Sequence, residues 1–187
     1  TVKYGLKAVF QPLDFNLVGF GVQEIPSSSH VYYTNSGQII DTDSNPRRDI
    51  KLYTLNSSPA VYVTDTSVSY VFASVDTIPT TFDTLHRVDM KLVGANPNSK
   101  VFKTEQAPGH LNYYLGHIPQ EITNVGGFNR AVCPNVYPNI DMQLYSNSEG
   151  MKYYFITHPG GNVDNIVMEF TGASSIDVTP DGGLRIS

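Results

Sequence analysis

The sequence predicts an all-β fold, an antiparallel β-sandwich of two packed sheets with long Gly-, Pro- and Asn-rich loops and little helix. Three observations carry the prediction. The chain is 40% hydrophobic, with 12 Tyr, 9 Phe and no Trp, and its apolar positions are often β-branched or aromatic, residues that suit a pleated, half-buried surface. Fifteen Gly and 12 Pro are scattered along the chain, where they serve many turns and interrupt any long helix. Short alternating runs recur at intervals of roughly ten residues, and no window carries a useful helical stripe. A chain of 187 residues can bury a sizeable core without metal or disulfide staples, so residues 1–187 read as a single domain.

In order, residues 1–30 read as an added strand pair. Residues 49–55, 60–64, 67–75 and 88–93 are strand candidates, with a turn at Asp65-Thr66. Residues 104–112 and 119–130 are rich in Gly, Pro and Asn and read as long loops with at most one turn of helix. In residues 139–145, Ile140, Met142 and Leu144 alternate with Asp141, Gln143 and Tyr145, the period of a strand with one face buried. Met151, Tyr153 and Phe155 resume the pattern, which predicts a hairpin closed by a five-residue loop at 146–150. His158-Pro159-Gly160-Gly161-Asn162 is the next turn, with His158 capping the strand end and expected to have no second histidine or carboxylate arranged with it as a catalytic set. Ile166, Met168 and Phe170 begin another strand. Residues 176–179 lead through the turn Pro180-Asp181-Gly182-Gly183 to a last strand at 184–187. Asp89-Met90-Lys91-Leu92-Val93-Gly94-Ala95 faintly echoes Val167-Met168-Glu169-Phe170-Thr171-Gly172-Ala173.

A formal charge of -5 offers no basic stripe, so neither nucleic acid nor anionic lipid is an expected partner. The single cysteine, Cys133, excludes an internal disulfide and a Cys-based zinc site, and reads as a small buried hydrophobe. No apolar run reaches about 18 residues, so membrane insertion is not expected. A chain that opens on Thr without a signal peptide reads as an exported protein whose signal has been removed, or as an excerpt of a longer one.

Candidate chemistry is sparse. Asp65-Thr66-Ser67 lacks the glycine and the second copy that a pair of proton-sharing carboxylates requires, and reads as a turn. Asp41, Asp43 and Asn45 place oxygens on alternate residues, the spacing of a calcium loop, although Pro46 stands where a glycine is usual. A polar connection explains them as well. Five histidines show no metal-binding pair, and no nucleophile elbow, phosphate loop or dinucleotide fingerprint is present. No catalytic residue is therefore assigned. Tyrosine combines a flat apolar body with a hydroxyl; Tyr113, Tyr114, Tyr137, Tyr145, Tyr153 and Tyr154 are candidates for a sugar or peptide face, with Asn112, His117 and Asp141 beside them, though core packing accounts for many of these rings. A glycan-acting hydrolase is the rival reading, with Asp141, Glu121 and Glu149 as its first candidate acids.

Three blocks then resemble a family. Asn35-Ser36-Gly37-Gln38-Ile39 with Asn45-Pro46, Leu111-Asn112-Tyr113-Tyr114-Leu115-Gly116, and Asn135-Val136-Tyr137-Pro138-Asn139-Ile140-Asp141 leading into Lys152-Tyr153-Tyr154-Phe155-Ile156-Thr157-His158-Pro159-Gly160 are similar to an uncharacterised domain near the N-terminus of large secreted Bacteroidota surface proteins, ahead of propeller-type SBBP repeats. The resemblance covers about residues 31 to 187 and departs from the pattern at Ser67 and Cys133-Pro134. It implies export and a place at the cell surface, and it assigns no site residue. The expected function is a non-catalytic structural or adhesive module that presents or docks neighbouring modules, with possible glycan contact.

Overall fold

The computed structural model describes residues 31–187 apart from positions 42, 56, 58, 75–83, 117–119 and 148–149. The strand pair expected in residues 1–30, and the candidates His117 and Glu149, lie outside the described residues. Alternation builds what is seen. Ile140, Met142 and Leu144 are at most 2% exposed, while Met151, Tyr153 and Phe155 pack against the same core from the neighbouring strand. The strands are β1 (Tyr32–Thr34), β2 (Leu52–Thr54), β3 (Ala60–Val63), β4 (Ser67–Ser74), β5 (Thr84–Leu92), β6 (Phe102–Tyr113), β7 (Ile122–Tyr137), β8 (Ile140–Asn147), β9 (Gly150–Thr157), β10 (Met168–Thr171), β11 (Ile176–Val178) and β12 (Leu184–Ile186). Among the described residues the only helix is a single 3-10 turn, Val163–Asn165, and none is long and apolar enough to cross a membrane.

All pairings between named strands are antiparallel. Two meanders, β1 to β5 and β6 to β9, are joined where β1 pairs β7 and where β10 returns to pair β5. The result is one curled half-barrel sheet, with β11 and β12 forming a small second sheet. The all-β expectation thus holds, but the main sheet is continuous through β7 rather than divided in two. Phe128 pairs Tyr32 on one edge of β7 and Gln106 on the other. Arg130 likewise pairs both Thr104 and Tyr145. Strand β7 therefore carries β6 along one edge and gives the other first to β1 and then to β8.

Strands β1 to β4 bury both faces. Tyr32, Leu52, Val61, Val63 and Val68 enter one core with Met90, Ala131, Cys133 and Ile140. Their neighbours Tyr33, Tyr53, Tyr62 and Val71 enter a second core with Ala107 of β6 and Val125 of β7. Removing this much apolar surface from water, at about 25 cal/mol per Å², is the main force holding the curl.

Two readings need correction. Residues 104–112, and residues 122–130 of the second expected loop, belong instead to the two longest strands, of 12 and 16 residues. Their Gly and Asn residues mark irregularities inside the ladder. Glu105, Gly109 and Asn124 take positive φ, and the register shifts between Gln106 and His110, as it does at β-bulges. The five-residue hairpin loop is also shorter: Asn147 pairs Gly150, leaving positions 148–149 between them. Ser146 and Asn147 extend the ladder because its bonds are made by backbone, whatever the side chain.

The faint echo has a structural meaning. Its two copies pair with each other, Met90 with Phe170 and Lys91 with Glu169, so a local two-fold passes through the Lys91–Glu169 pair. Gly94 and Gly172 end the copies at φ 72° and 87°, and Ala95 and Ala173 then turn into the same core. The hydroxyl of Tyr137 bridges the carbonyls of Val93 and Val167, each 3.1 Å away. It latches the junction from the side of β7.

The two glycines should differ sharply on substitution. A Cβ on Gly94 meets nothing within 4 Å, whereas one on Gly172 falls 2.1 Å from the Arg87 carbonyl oxygen. Gly94→Ala is expected to lose about 1 kcal/mol for its positive φ. Gly172→Ala adds roughly 1–3 kcal/mol of overpacking to that cost. Urea unfolding of both variants checks the difference, and equal losses would contradict the close approach.

Candidate binding face on strands β6 to β9

The register places a polar and aromatic surface on the outward side of the second meander. Ile140, Met142 and Leu144 point into the core, so Asp141, Gln143 and Tyr145 point out. Across the strands one row runs Thr104, Arg130, Tyr145, Lys152, and the next runs Phe102, Val132, Gln143, Tyr154. Adjacent strands lie about 4.8 Å apart, so each row of four spans roughly 14 Å, the scale of two or three sugar rings. Phe102 at one end is 57% exposed. At the other end Tyr145 and Tyr154 meet edge to face, with centroids 5.4 Å apart.

Arg130 ties the face together. Its Nη1 donates to Gln143 Oε1 at 2.9 Å and to the Tyr154 hydroxyl at 2.7 Å, and the Tyr154 hydroxyl also donates to Gln143. Its Nε lies 2.8 Å from Glu105 Oε1. Three side chains from three strands thus fix one guanidinium. Beside it, Lys103 Nζ sits 5.1 Å from the centroid of the Phe128 ring and donates to Thr34 Oγ1 at 3.0 Å, joining β6 to β1.

The face ends at a pair that the sequence reading did not expect. His158 Nε2 lies 2.9 Å from Asp141 Oδ2, so a carboxylate does stand with this histidine. Local geometry explains it. The His158 amide donates to the Asn139 carbonyl, folding the residue back over the β8 start. Asp141 Oδ1 accepts the Asn135 amide at 2.7 Å, where Asn135 takes φ 48°. The carboxylate therefore staples the bulge of β7 to the turn after β9. Desolvation pushes the Asp141 pKa up, but the bonds from Asn135 and His158, with the charge of the imidazolium, outweigh it and hold the carboxyl below its usual range.

The expected site residues do not converge. Tyr113 and Ile122 pair at one end of β7, while Tyr137 and Ile140 pair at the other, so Asn112, Tyr113 and Tyr114 are far from Asp141 along the strand. Asn112 Oδ1 accepts the Asn124 amide at 2.9 Å and supports a bulge. Tyr113 is half-buried against the Tyr53 hydroxyl, and burial raises its pKa. Tyr137 is buried, 3% exposed, and acts as the latch described above rather than as a surface residue. Tyr114 alone of these rings is open, 66% exposed. In the suggested calcium loop, Asp41 Oδ1 already accepts the amides of Asp43 and Asn45 at 3.0 and 2.8 Å. The loop is closed by its own backbone, and among the described residues no three His, Cys, Asp or Glu side chains gather as a metal group. Asp65 accepts the Val101 amide and pairs Lys100, and Thr64 Oγ1 accepts the Thr66 and Ser67 amides, the bonding of a turn. Cys133 is buried as expected; desolvation, then the Asp65 charge, push its thiol up to about 12, far from thiolate reactivity.

Residues 32–187 match the family described as Domain of unknown function (DUF7948). The chain belongs to this family. No curated protein and no solved structure matches it. The DUF7948 match begins at Tyr32, the first residue of β1, and includes every residue of the face and all three blocks that carried the resemblance. Arg130, Glu105, Gln143 and Phe102 were not singled out in the sequence. Arg130 alternates with Ala131 and Cys133 as an outward strand residue should, but the Gly126-Gly127 pair before it masks the period. Nothing in the sequence marks Glu105.

The Asp141 staple has a pH signature. Its carboxyl is held below the 3.8 usual for an aspartate, so its contribution is full above that pH and is lost as pH falls through the lower folded pKa. Asp141→Asn should cost about 1–3 kcal/mol at pH 7. The gap from wild type should close as the pH is taken well below 3.8. Urea midpoints measured across this range test it, and a gap that persists at the acid end would refute the staple.

Proposed function

We propose that this DUF7948 domain is a non-catalytic structural or adhesive module of an extracellular or cell-surface protein, and that it contacts glycan through the outward face of β6 to β9. The carrying observation is the row Phe102, Val132, Gln143, Tyr154. It sets exposed ring surface beside fixed amide, hydroxyl and guanidinium donors, the combination that suits a sugar with one apolar and one polar side. The finer reading follows the sequence resemblance: export in Bacteroidota, a position ahead of SBBP repeats, and neighbouring modules as partners. In that reading the two cores on either side of β1 to β4 stand for the two-layer packing of a sandwich.

The His158–Asp141 pair is the observation that favours the rival, a glycan-acting hydrolase. A carboxyl held below its usual range suits an ion-pair partner better than a proton donor. Reducing ends released by the wild-type domain and abolished by Asp141→Asn would sink the non-catalytic reading.

Binding is tested by screening the protein against immobilised oligosaccharides and titrating the strongest by calorimetry. Tyr154→Ala and Phe102→Ser should each weaken it by about tenfold, the equivalent of 1.4 kcal/mol, without lowering the melting temperature more than a few degrees. Absence of glycan binding, or binding indifferent to both substitutions, would remove this face from the function.

A further inference from the structure

Arg130 is held firmly but bonded incompletely. Nη1 is engaged by Gln143 and Tyr154, which fixes the plane of the guanidinium. Nε has the charge of Glu105 at 2.8 Å, yet this buried N–H has no hydrogen bond of acceptable direction. The ion pair is bent off the axis of its own donor. Glu105 reaches that place from a backbone at φ 57°, a left-handed conformation that side chains other than Asn and Asp enter at a cost. Its side chain is 53% exposed, where an ion pair returns little stability. Poor direction and exposure leave the ion pair contributing little to stability, and a left-handed residue that holds such a contact in place is a pointer to a binding site.

We propose that the Nε and Nη2 edge of Arg130 is the site for a carboxylate on an acidic saccharide, a uronic-acid-bearing glycan, and that Glu105 is an intramolecular stand-in which the ligand displaces. The proposal rests on reading this face as a glycan platform. A guanidinium fork matches a carboxylate with two parallel hydrogen bonds, and the ligand carboxylate supplies the directed acceptor that Glu105 does not. Because Gln143 and Tyr154 already fix the fork, little ordering is left for the ligand to impose. Displacement also releases Glu105 from the contact that holds it in place. The flanking rings of Tyr145 and Tyr154 favour a sugar over an acidic peptide, since each sugar residue has a flat apolar side to lay on them.

The test titrates the full chain with an oligogalacturonate, with the same oligosaccharide after reduction of its carboxyls to alcohols, and with polyglutamate. Wild type should bind the acid at least about tenfold more tightly than the reduced form. Arg130→Gln should erase that preference, and Arg130→Lys, which keeps the charge without the fork, should lose most of it. Glu105→Gln should have the opposite effect, tightening acid binding severalfold and leaving the reduced sugar unchanged. Circular dichroism of each variant confirms folding. Equal binding of acid and reduced sugar, a preference that survives Arg130→Gln, weaker acid binding in Glu105→Gln, or polyglutamate binding as tightly as the oligouronide would each overturn the proposal. Binding of the reduced sugar alone would leave the glycan platform standing without its carboxylate site. If neither sugar binds, the carboxylate site falls, and the platform reading falls with it only if the wider oligosaccharide screen is also empty.

Discussion

Strand β7 has to satisfy the backbone of three neighbours, and the rest of the molecule is arranged around how it does so. A strand has two edges, and unpaired amides inside a sheet are costly, so one edge of β7 is shared in turn by β1 and β8 while β6 runs along the other. A flat ribbon could not lead both partners away without a clash. The chain bends instead, using Asn124 and Asn135 at positive φ and removing side-chain bulk where β1 comes nearest. A Cβ on Gly127 would lie 2.3 Å from Val31 Cγ1. The curl, the two cores and the exposed outer face all follow from that bend.

The outward face gains its order from the same strand. Because β7 is fixed on both edges, Arg130 projects at a set height between Glu105, Gln143 and Tyr154. A surface arginine ordinarily samples many rotamers, and confining one costs entropy. Here the cost is divided among contacts from β6, β8 and β9. Rigid strands hold such a group more exactly than loops do, which is why the face is a better binding candidate than the open Tyr114 ring near the far end of β7.

The sequence made the second hairpin legible because each of its residues faces either core or solvent, and period two survives intact from Ile140 to Leu144. Strands β1 to β4 were less distinct. With Tyr32 and Tyr33, or Tyr62 and Val63, buried on opposite faces, alternation gives way to continuous apolar runs. The long strands β6 and β7 were hidden for another reason. Local propensity reads Pro108, Gly109, Asn124 and Gly126 as turn formers, whereas the fold uses such residues to bulge a ladder whose stability comes from distant partners. The site was the least legible part. The Asp141–His158 contact depends on β8–β9 register, and the Arg130 cluster unites residues from four strands, so neither spacing nor composition could announce it. Of the tyrosines singled out, the pleat turns Tyr145 and Tyr154 onto this face, whereas Tyr137 is buried.

The two-meander layout also orders the making of the molecule. Every pairing within β1 to β5 and within β6 to β9 joins strands adjacent in the chain, so each meander can assemble through local connections, whose closure cost grows only slowly with length. Only two seams demand distant partners, Tyr32 with Phe128 and Leu92 with Met168. They carry the topological burden that slows β-rich chains. Each seam has a glycine where an added Cβ would force a neighbour to move: Gly127 against Val31 at the first, and Gly172 against the Arg87 carbonyl at the second. Long-range pairing is thus concentrated at two places where residues distant in the chain meet. Loosening the first seam would uncover an edge of β1, and loosening the second an edge of β5, in either case a strand edge open to pairing with another copy.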